Sequence, residues 1–322
     1  MMNRRIFIHG SAIFGMSVAM PRLLKGSSGL YSTGKTRSVY KVLNTDKTKV
    51  GTLPILRAFA GNHLDYVSPY VLFDEFGPVE LTPKSQPLRV DAHPHAGIIP
   101  TTYFLAGTGH HKDSLNYDFQ IGKGDFMMFS SGRGAIHMEE TGQKLYDEGG
   151  QYHGFQIWLN MPARYKREAP STFVYKDNKM GTLDTKTYSA KVVLGELFEA
   201  KSQIELLSPA FYYHLHLKPN CCLDIPTDPT HNAFAYVIRG SVETEGRKAI
   251  QDGQVALFHR GESIVNLYSK DGAELLVLGG QPLNEPVFSY GPFVTNTKEE
   301  MQQVINDYQT GKMGDPDVVN AR

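Results

Sequence analysis

Cysteine is nearly absent from this chain of 322 residues: Cys221 and Cys222 are the only two, and they are adjacent. A disulfide needs Cβ atoms about 3.8 Å apart and a particular dihedral, which chain neighbours rarely reach. A disulfide framework and a cysteine-based zinc site are therefore both excluded, and the pair is expected to be small core residues. Surplus charge is also missing. Lys+Arg and Asp+Glu both number 33, which leaves no electrostatic ground for binding nucleic acid or anionic lipid. The apolar run 6–20 is broken by His9, Gly10 and Gly15 and is shorter than the roughly 20 residues that span a bilayer, so no stable membrane anchor is expected. There is no Gly-x-Ser-x-Gly, and Ser130-Ser131 precedes His137 too closely for a nucleophile triad.

The chain does have the composition of a packed, turn-rich β protein, with 41% hydrophobic residues, 31 Gly and 18 Pro. Strand patterns run over Arg37–Val42, Tyr70–Phe73, Ile98–Leu105, Asp125–Phe129 and His153–Leu159, punctuated by glycines at 107–109, 122–124 and 132–134. Such strands without βαβ alternation predict a sandwich or jelly-roll barrel. A diverged copy follows: Tyr103-Phe104-Leu105-Ala106-Gly107 matches Tyr236-Val237-Ile238-Arg239-Gly240, and the stretch 124–129 matches 253–258. A helix is predicted from Asn296 as N-cap, with Glu299 three residues on, the stripe Met301, Val304, Ile305 and Tyr308, and Gly311 at its end. At the other terminus Asn3-Arg4-Arg5-Ile6-Phe7 followed by the apolar run resembles a twin-arginine export signal. Ser17-Val18-Ala19 offers a cleavage site. A periplasmic or otherwise exported protein is expected, and a cytoplasmic one if the signal does not function.

Two pairs of ligand-type residues carry the chemistry. His93 and His95, and His137 and Glu139, are each spaced i, i+2. On a strand that spacing puts both side chains on one face. If the two strands are neighbours, three imidazoles and a carboxylate converge, a donor set suited to a first-row transition metal rather than Ca²⁺ or Mg²⁺. Aligning the copies sets Pro226, Asp228, Asn266 and Tyr268 where the four ligands stand, so the second barrel is expected to hold no metal. His110 and His111 are expected in an exposed hairpin loop, and Arg133 as a turn residue or a donor near the metal. His214-x-His216 with His231 repeats the strand spacing, but core or surface roles are expected for these three.

Several stretches taken together resemble the pirin family of the cupin superfamily: Phe73-Asp74-Glu75-Phe76-Gly77-Pro78, Asp91-Ala92-His93-Pro94-His95, Ser131 to Glu139, Gln156 to Pro162 and Tyr290-Gly291-Pro292-Phe293-Val294. The resemblance implies an all-β fold of two stacked cupin barrels with a C-terminal helix. The expected divisions are a leader and linker at 1–34, a metal-binding barrel at 35–168, a barrel without ligands at 169–290, and a helix and tail at 291–322. It implies one metal, usually iron with Cu, Mn, Ni or Zn as alternatives, held by His93, His95, His137 and Glu139. Glu139 is also the candidate general base. A quercetinase-like dioxygenase acting on a small chelating aromatic is one implied activity. A metal- or redox-dependent regulator that binds a partner protein is the other, and a monomer is expected. The pattern departs after the first ligand pair: family members read His-Pro-His-Arg-Gly-Phe-Glu, whereas Ala96, Ile98 and Ile99 follow here. The metal surroundings should then be more apolar, and these residues, if exposed, would supply the partner surface.

Overall fold

The alternation of apolar and polar residues along short strands is realised as two β-barrels in the computed structural model, which describes residues 34–61, 64–245 and 249–321. The twin-arginine motif lies outside the described residues. In the first barrel a seven-stranded sheet runs in the order Ser171–Tyr175, Phe126–Ser130, Ile98–Ala106, Gly150–Asn160, Tyr70–Leu81, Leu53–Ala60, Asp46–Val50. A four-stranded sheet, Arg89–His95, Ala135–Thr141, Thr108–Asp113 and Asp118–Gly122, completes it. In the second barrel the long sheet includes Ala210–Leu217, Asn232–Glu243, Gln254–Phe258 and Ala273–Gly280. The ladder Cys221–Pro226 with Ile264–Ser269 packs Leu223, Ile225 and Leu267 into the same core as Leu215 and Ala235.

The two anchors of the repeat occupy equivalent places. Tyr103 pairs with Phe126 in the first barrel as Tyr236 pairs with Val255 in the second. Their large sheets meet in a shared aromatic core, where Phe73 lies 4.9 Å from Tyr236, centroid to centroid, and Phe59 lies 5.5 Å from Phe234. Each ring carries a large apolar area, and edge contacts of this kind add about 0.5–1.5 kcal/mol beyond burial. Polar ties cross the same seam. The Tyr70 hydroxyl donates to the Phe211 carbonyl at 2.8 Å, and Tyr236 donates to Glu75, whose other oxygen lies 2.6 Å from His153 Nε2.

Elements near both ends of the described residues cross the expected divisions. The opening strand, Val39–Asn44, pairs with Gln254–Phe258 and so serves the second barrel, covering a strand whose other edge is already taken by Asn232–Glu243. Ser171–Tyr175 pairs with Phe126–Ser130, extending the first barrel past residue 168. The tail returns to the first barrel, with Phe293, Met301, Val304 and Met313 packed around Ala96, Ile136 and Met138. The helix Lys298–Gln309 starts one residue later than expected. Thr297 is its N-cap and forms a reciprocal capping box with Glu300. Asn296 instead donates its side-chain amide to the Pro286 carbonyl at 2.8 Å.

Two expectations about burial fail, the first through strand alternation and the second because the returning tail and the core between the barrels cover the residues. Cys221 is buried but Cys222, its neighbour on a strand, faces solvent. Ala96, Ile98 and Ile99 are not a surface: all three are buried, Ala96 under Phe293 and Ile98 beside Val294. Among the described residues no helix is long and apolar enough to cross a membrane.

The returning tail is clamped by a buried ammonium. Lys166 Nζ donates to the carbonyls of Gly97 and Val294 at 2.7 and 3.0 Å and to Asn160 Oδ1 at 2.5 Å. Gly97 is required there, since its φ is +75° and a Cβ would stand 1.9 Å from the Val294 oxygen. Burial brings the Lys166 pKa down to about 8 from 10.5, with Glu285 and Glu300 opposing the shift. Between these values the unfolded chain still binds the proton that the folded protein has lost, so stability rises with pH across that window. Urea unfolding midpoints should show the rise in the native chain and its loss in Lys166→Met. Parallel curves for the two proteins would mean that this ammonium titrates normally.

Candidate metal centre

The site is built on the inner face of the four-stranded sheet. Arg89–His95 runs antiparallel to Ala135–Thr141 with His93 opposite His137 and His95 opposite Ala135; past a bulge, Glu139 falls opposite Val90. The turn that delivers His137 is pinned. The Ser131 hydroxyl donates to the Ile98 carbonyl at 2.6 Å, and Gly132, at φ +49°, accepts from the Gly97 N–H at 2.9 Å. A Cβ at Gly132 would stand 2.3 Å from the Glu168 oxygen. Arg133 is exposed in this turn and uses its backbone N–H, which donates to Glu168. It is a turn residue and not a donor to the site.

The hydrogen bonds of the three rings set which nitrogen of each is free. His93 Nδ1 lies 2.8 Å from the Asp91 carbonyl and His95 Nδ1 lies 3.3 Å from that of Pro292. Carbonyls only accept, so both rings carry the proton on Nδ1 and leave Nε2 as a lone pair. His137 reaches the same state through a relay. Asp113 Oδ2 accepts from His111 Nε2 at 3.0 Å, which leaves His111 Nδ1 to accept from His137 Nδ1 at 3.4 Å. Thr172 supports the far end by donating to Asp113. The outcome is three converging lone pairs. His93 Nε2 and His137 Nε2 are 3.0 Å apart, and His95 Nε2 is buried without a partner. The candidate ligand atoms of the three rings all lie within 4.8 Å of one another.

Lone pairs at that spacing repel unless a cation sits between them. Nitrogens bound at about 2.1 Å to one ion stand roughly 3 Å apart when adjacent in an octahedron, so the residues fit a first-row metal. Burial, and then the neighbouring imidazoles, hold His95 and His137 well below the usual imidazole range, and burial lowers His93 as well. Neutral imidazole is the ligating form.

Glu139 stands differently. It groups with His111 and His137, again within 4.8 Å, and not with His93 and His95. The Thr102 hydroxyl donates to its Oε1 at 3.0 Å and the Gln156 amide to its Oε2 at 2.9 Å, so the opposite sheet holds the carboxylate. The expected His93, His95 and His137 are brought together, with Glu139 beside them. His111 was expected in an exposed loop, but it is fully buried on the strand Thr108–Asp113. The alternation Gly109, His111, Asp113, all three facing inward, was the signal for it. His110, facing the other way, lies 2.7 Å from Asp118. His231 does not join His214 and His216: its carbonyl accepts from Arg37 at 2.8 Å, whereas Glu274 is the residue that meets the pair.

A cavity of about 560 Å³ opens onto His93, His95 and Glu139, within the size range of small-molecule sites. Its walls are mostly apolar, with Ile55, Phe76, Phe104 and Trp158 among them. Arg57 supplies a polar edge, forked onto Asp74 at 2.8 and 2.6 Å. Burial pushes the Asp74 carboxyl up despite that partner.

This arrangement, a histidine cluster inside the first of two stacked jelly-roll barrels, is that of a two-domain cupin. The sequence pattern of Pirin matches residues 52–159 and that of the Pirin C-terminal cupin domain matches residues 212–314; the chain belongs to the pirin family. A pirin-like protein of Solanum lycopersicum is 31% identical over 284 residues, covering 86% of this chain and 92% of its own length. Pirin of Homo sapiens is 28% identical over 279 residues, covering 85% and 92%. The crystal structure of quercetin 2,3-dioxygenase from Acinetobacter baumannii superposes with a TM-score of 0.84 at 28% identity, covering 88% of this chain and 100% of that one.

The relay makes His111 a positioning residue for His137. Replacing such partners typically lowers metal affinity about 10–100-fold. Calorimetric titration with Ni²⁺ should show that loss in His111→Ala and a smaller one in Asp113→Asn, with His93→Ala abolishing binding at this site. Unchanged affinity in His111→Ala would remove the relay from the account.

Proposed function

We propose that this protein is an iron-dependent dioxygenase that opens a flavonol-like, chelating aromatic substrate and is exported through the twin-arginine route. The observation that carries the chemistry is the meeting of three unprotonated Nε2 atoms at the end of a largely apolar cavity. The solved quercetin 2,3-dioxygenase with the same two-barrel fold supports the substrate class. Export rests on Arg4-Arg5 and the apolar run after them.

His93, His95 and His137 would hold the ion, with Glu139 as fourth ligand or as base. A redox-active ion there would supply the binding of a deprotonated hydroxyl and the activation of dioxygen. The protein supplies the rest. The apolar walls take a flat ring system and exclude water, and Arg57 offers its guanidinium to a polar edge of the ligand. Glu139, acceptor of two hydrogen bonds, receives the hydroxyl proton of the substrate. Thr102 and Gln156 keep its carboxylate aimed while it does so. In the overall change dioxygen is the oxidant and one ring carbon leaves as carbon monoxide. The regulatory reading loses the surface on which it was to rest, because Ala96, Ile98 and Ile99 are buried.

Iron-loaded protein should consume oxygen and release carbon monoxide with quercetin, and anaerobic quercetin should shift the metal's absorption. Glu139→Gln should keep the metal and lose about 10²–10⁴-fold in kcat, the usual contribution of a positioned base. Elemental analysis of native protein checks the choice of iron. If chains loaded with iron, manganese, nickel or copper all fail to release carbon monoxide and show no spectral change, the dioxygenase reading is wrong.

A further inference from the structure

The second barrel has its own His-x-His, on Ala210–Leu217. Alternation divides this strand: Tyr213, Leu215 and Leu217 point into the barrel core, while Tyr212 points into the seam between barrels. His214 and His216 share the face of Tyr212. Exposure grows along that face, from 1% at Tyr212 and 8% at His214 to an exposed His216, so the seam ends at these two rings. The adjacent strand, Ala273–Gly280, sets Glu274 directly opposite His216. Glu274 Oε1 lies 3.1 Å from His214 Nε2 and 3.9 Å from His216 Nε2. One nitrogen from each ring and one carboxylate oxygen all fall within 4.8 Å of one another.

Two further features belong to a metal site more than to a chance cluster. The Tyr103 hydroxyl, from the first barrel, lies 3.1 Å from His214 Nδ1. With Nε2 donating to Glu274, Nδ1 accepts from the Tyr103 hydroxyl; an ion taking the Nε2 lone pair would move the proton to Nδ1, which would then donate to this buried phenol oxygen and keep the ring's orientation. A cavity of about 600 Å³ also opens at the cluster, with Lys123, Thr182, Ser189 and Lys191 in its walls.

We propose that His214, His216 and Glu274 form a second metal site, for a divalent ion such as Zn²⁺, with its open positions turned toward this cavity. Two imidazoles and one carboxylate are a donor set for zinc, and three protein ligands leave room for water or a small anion. The site lies outside the first barrel and does not depend on the dioxygenase reading. Arg239 Nη2, 3.7 Å from Glu274 Oε2 on a largely exposed side chain, faces the oxygen that the two rings leave free.

The test is the zinc content of the full chain after equilibrium dialysis against Zn²⁺. His216→Ala changes an exposed ring and should hold one zinc per chain fewer than the native protein, as should Glu274→Gln. Tyr103→Phe removes only the hydroxyl and should weaken zinc binding at this site about 10–100-fold while keeping the stoichiometry at saturation. Equal zinc in the native chain and His216→Ala would overturn the proposal. So would loss of all zinc in His93→Ala with none lost in His216→Ala, since the first barrel would then account for the binding.

Discussion

The antiparallel register between Arg89–His95 and Ala135–Thr141 is the constraint on which the site depends. With His93 opposite His137, two Nε2 atoms meet at 3.0 Å. A slip of one residue would turn one strand's ligands to the other side of the sheet. The structure guards that register from several directions. The turn at 131–134 is hydrogen-bonded to Ile98, Gly97 and Glu168. The third strand, Thr108–Asp113, places Asp113 opposite His137 and His111 opposite Glu139. A metal centre is thus a property of three strands, although its nominal ligands come from two.

The second barrel explains why the first can afford a polar interior. Buried His95, His111 and His137, with Asp113 and a partly buried Glu139, are costly to remove from water. The seam core offsets part of that cost with Phe59, Phe73, Phe155, Tyr212, Phe234 and Tyr236. Where the first barrel sets His93 against His137, the second sets Asp224 against Asn266, 2.7 Å from carboxylate oxygen to amide nitrogen, so Asp224 and not the expected Pro226 stands at the His93 position, and Pro226, opposite Ile264, stands at that of His95. The copy thus keeps the frame and gives up that ligand set.

Much of this was legible in the residues. The i, i+2 pairs, the glycine turns and the repeated Tyr-x-x-x-Gly are local signals, and they placed the strands within a few positions and the histidines on a common face. Pairing between distant segments was not legible. Nothing in residues 39–44 says that they join 254–258 rather than the barrel next to them in sequence. His111 was missed because a histidine after Gly-His looks like a loop until the alternation of Gly109, His111 and Asp113 is seen against its neighbouring strand. The role of Glu274 beside His214 and His216 is likewise a matter of cross-strand register. Burial at Ala96 could not be foreseen, because what covers it comes from about two hundred residues downstream, at Phe293.

The returning segment also holds the site from outside its own sheet. His95 Nδ1–H donates to the Pro292 carbonyl, and Asn320 Oδ1 accepts from the Ala92 N–H at 2.8 Å and from the Arg89 guanidinium at 3.0 Å. The strand bearing His93 and His95 is therefore braced by residues 197 to 231 positions further along the chain. Loosening that distant segment would slacken the binding centre without touching a ligand, so a lesion far from the ion in sequence can read out as lost metal.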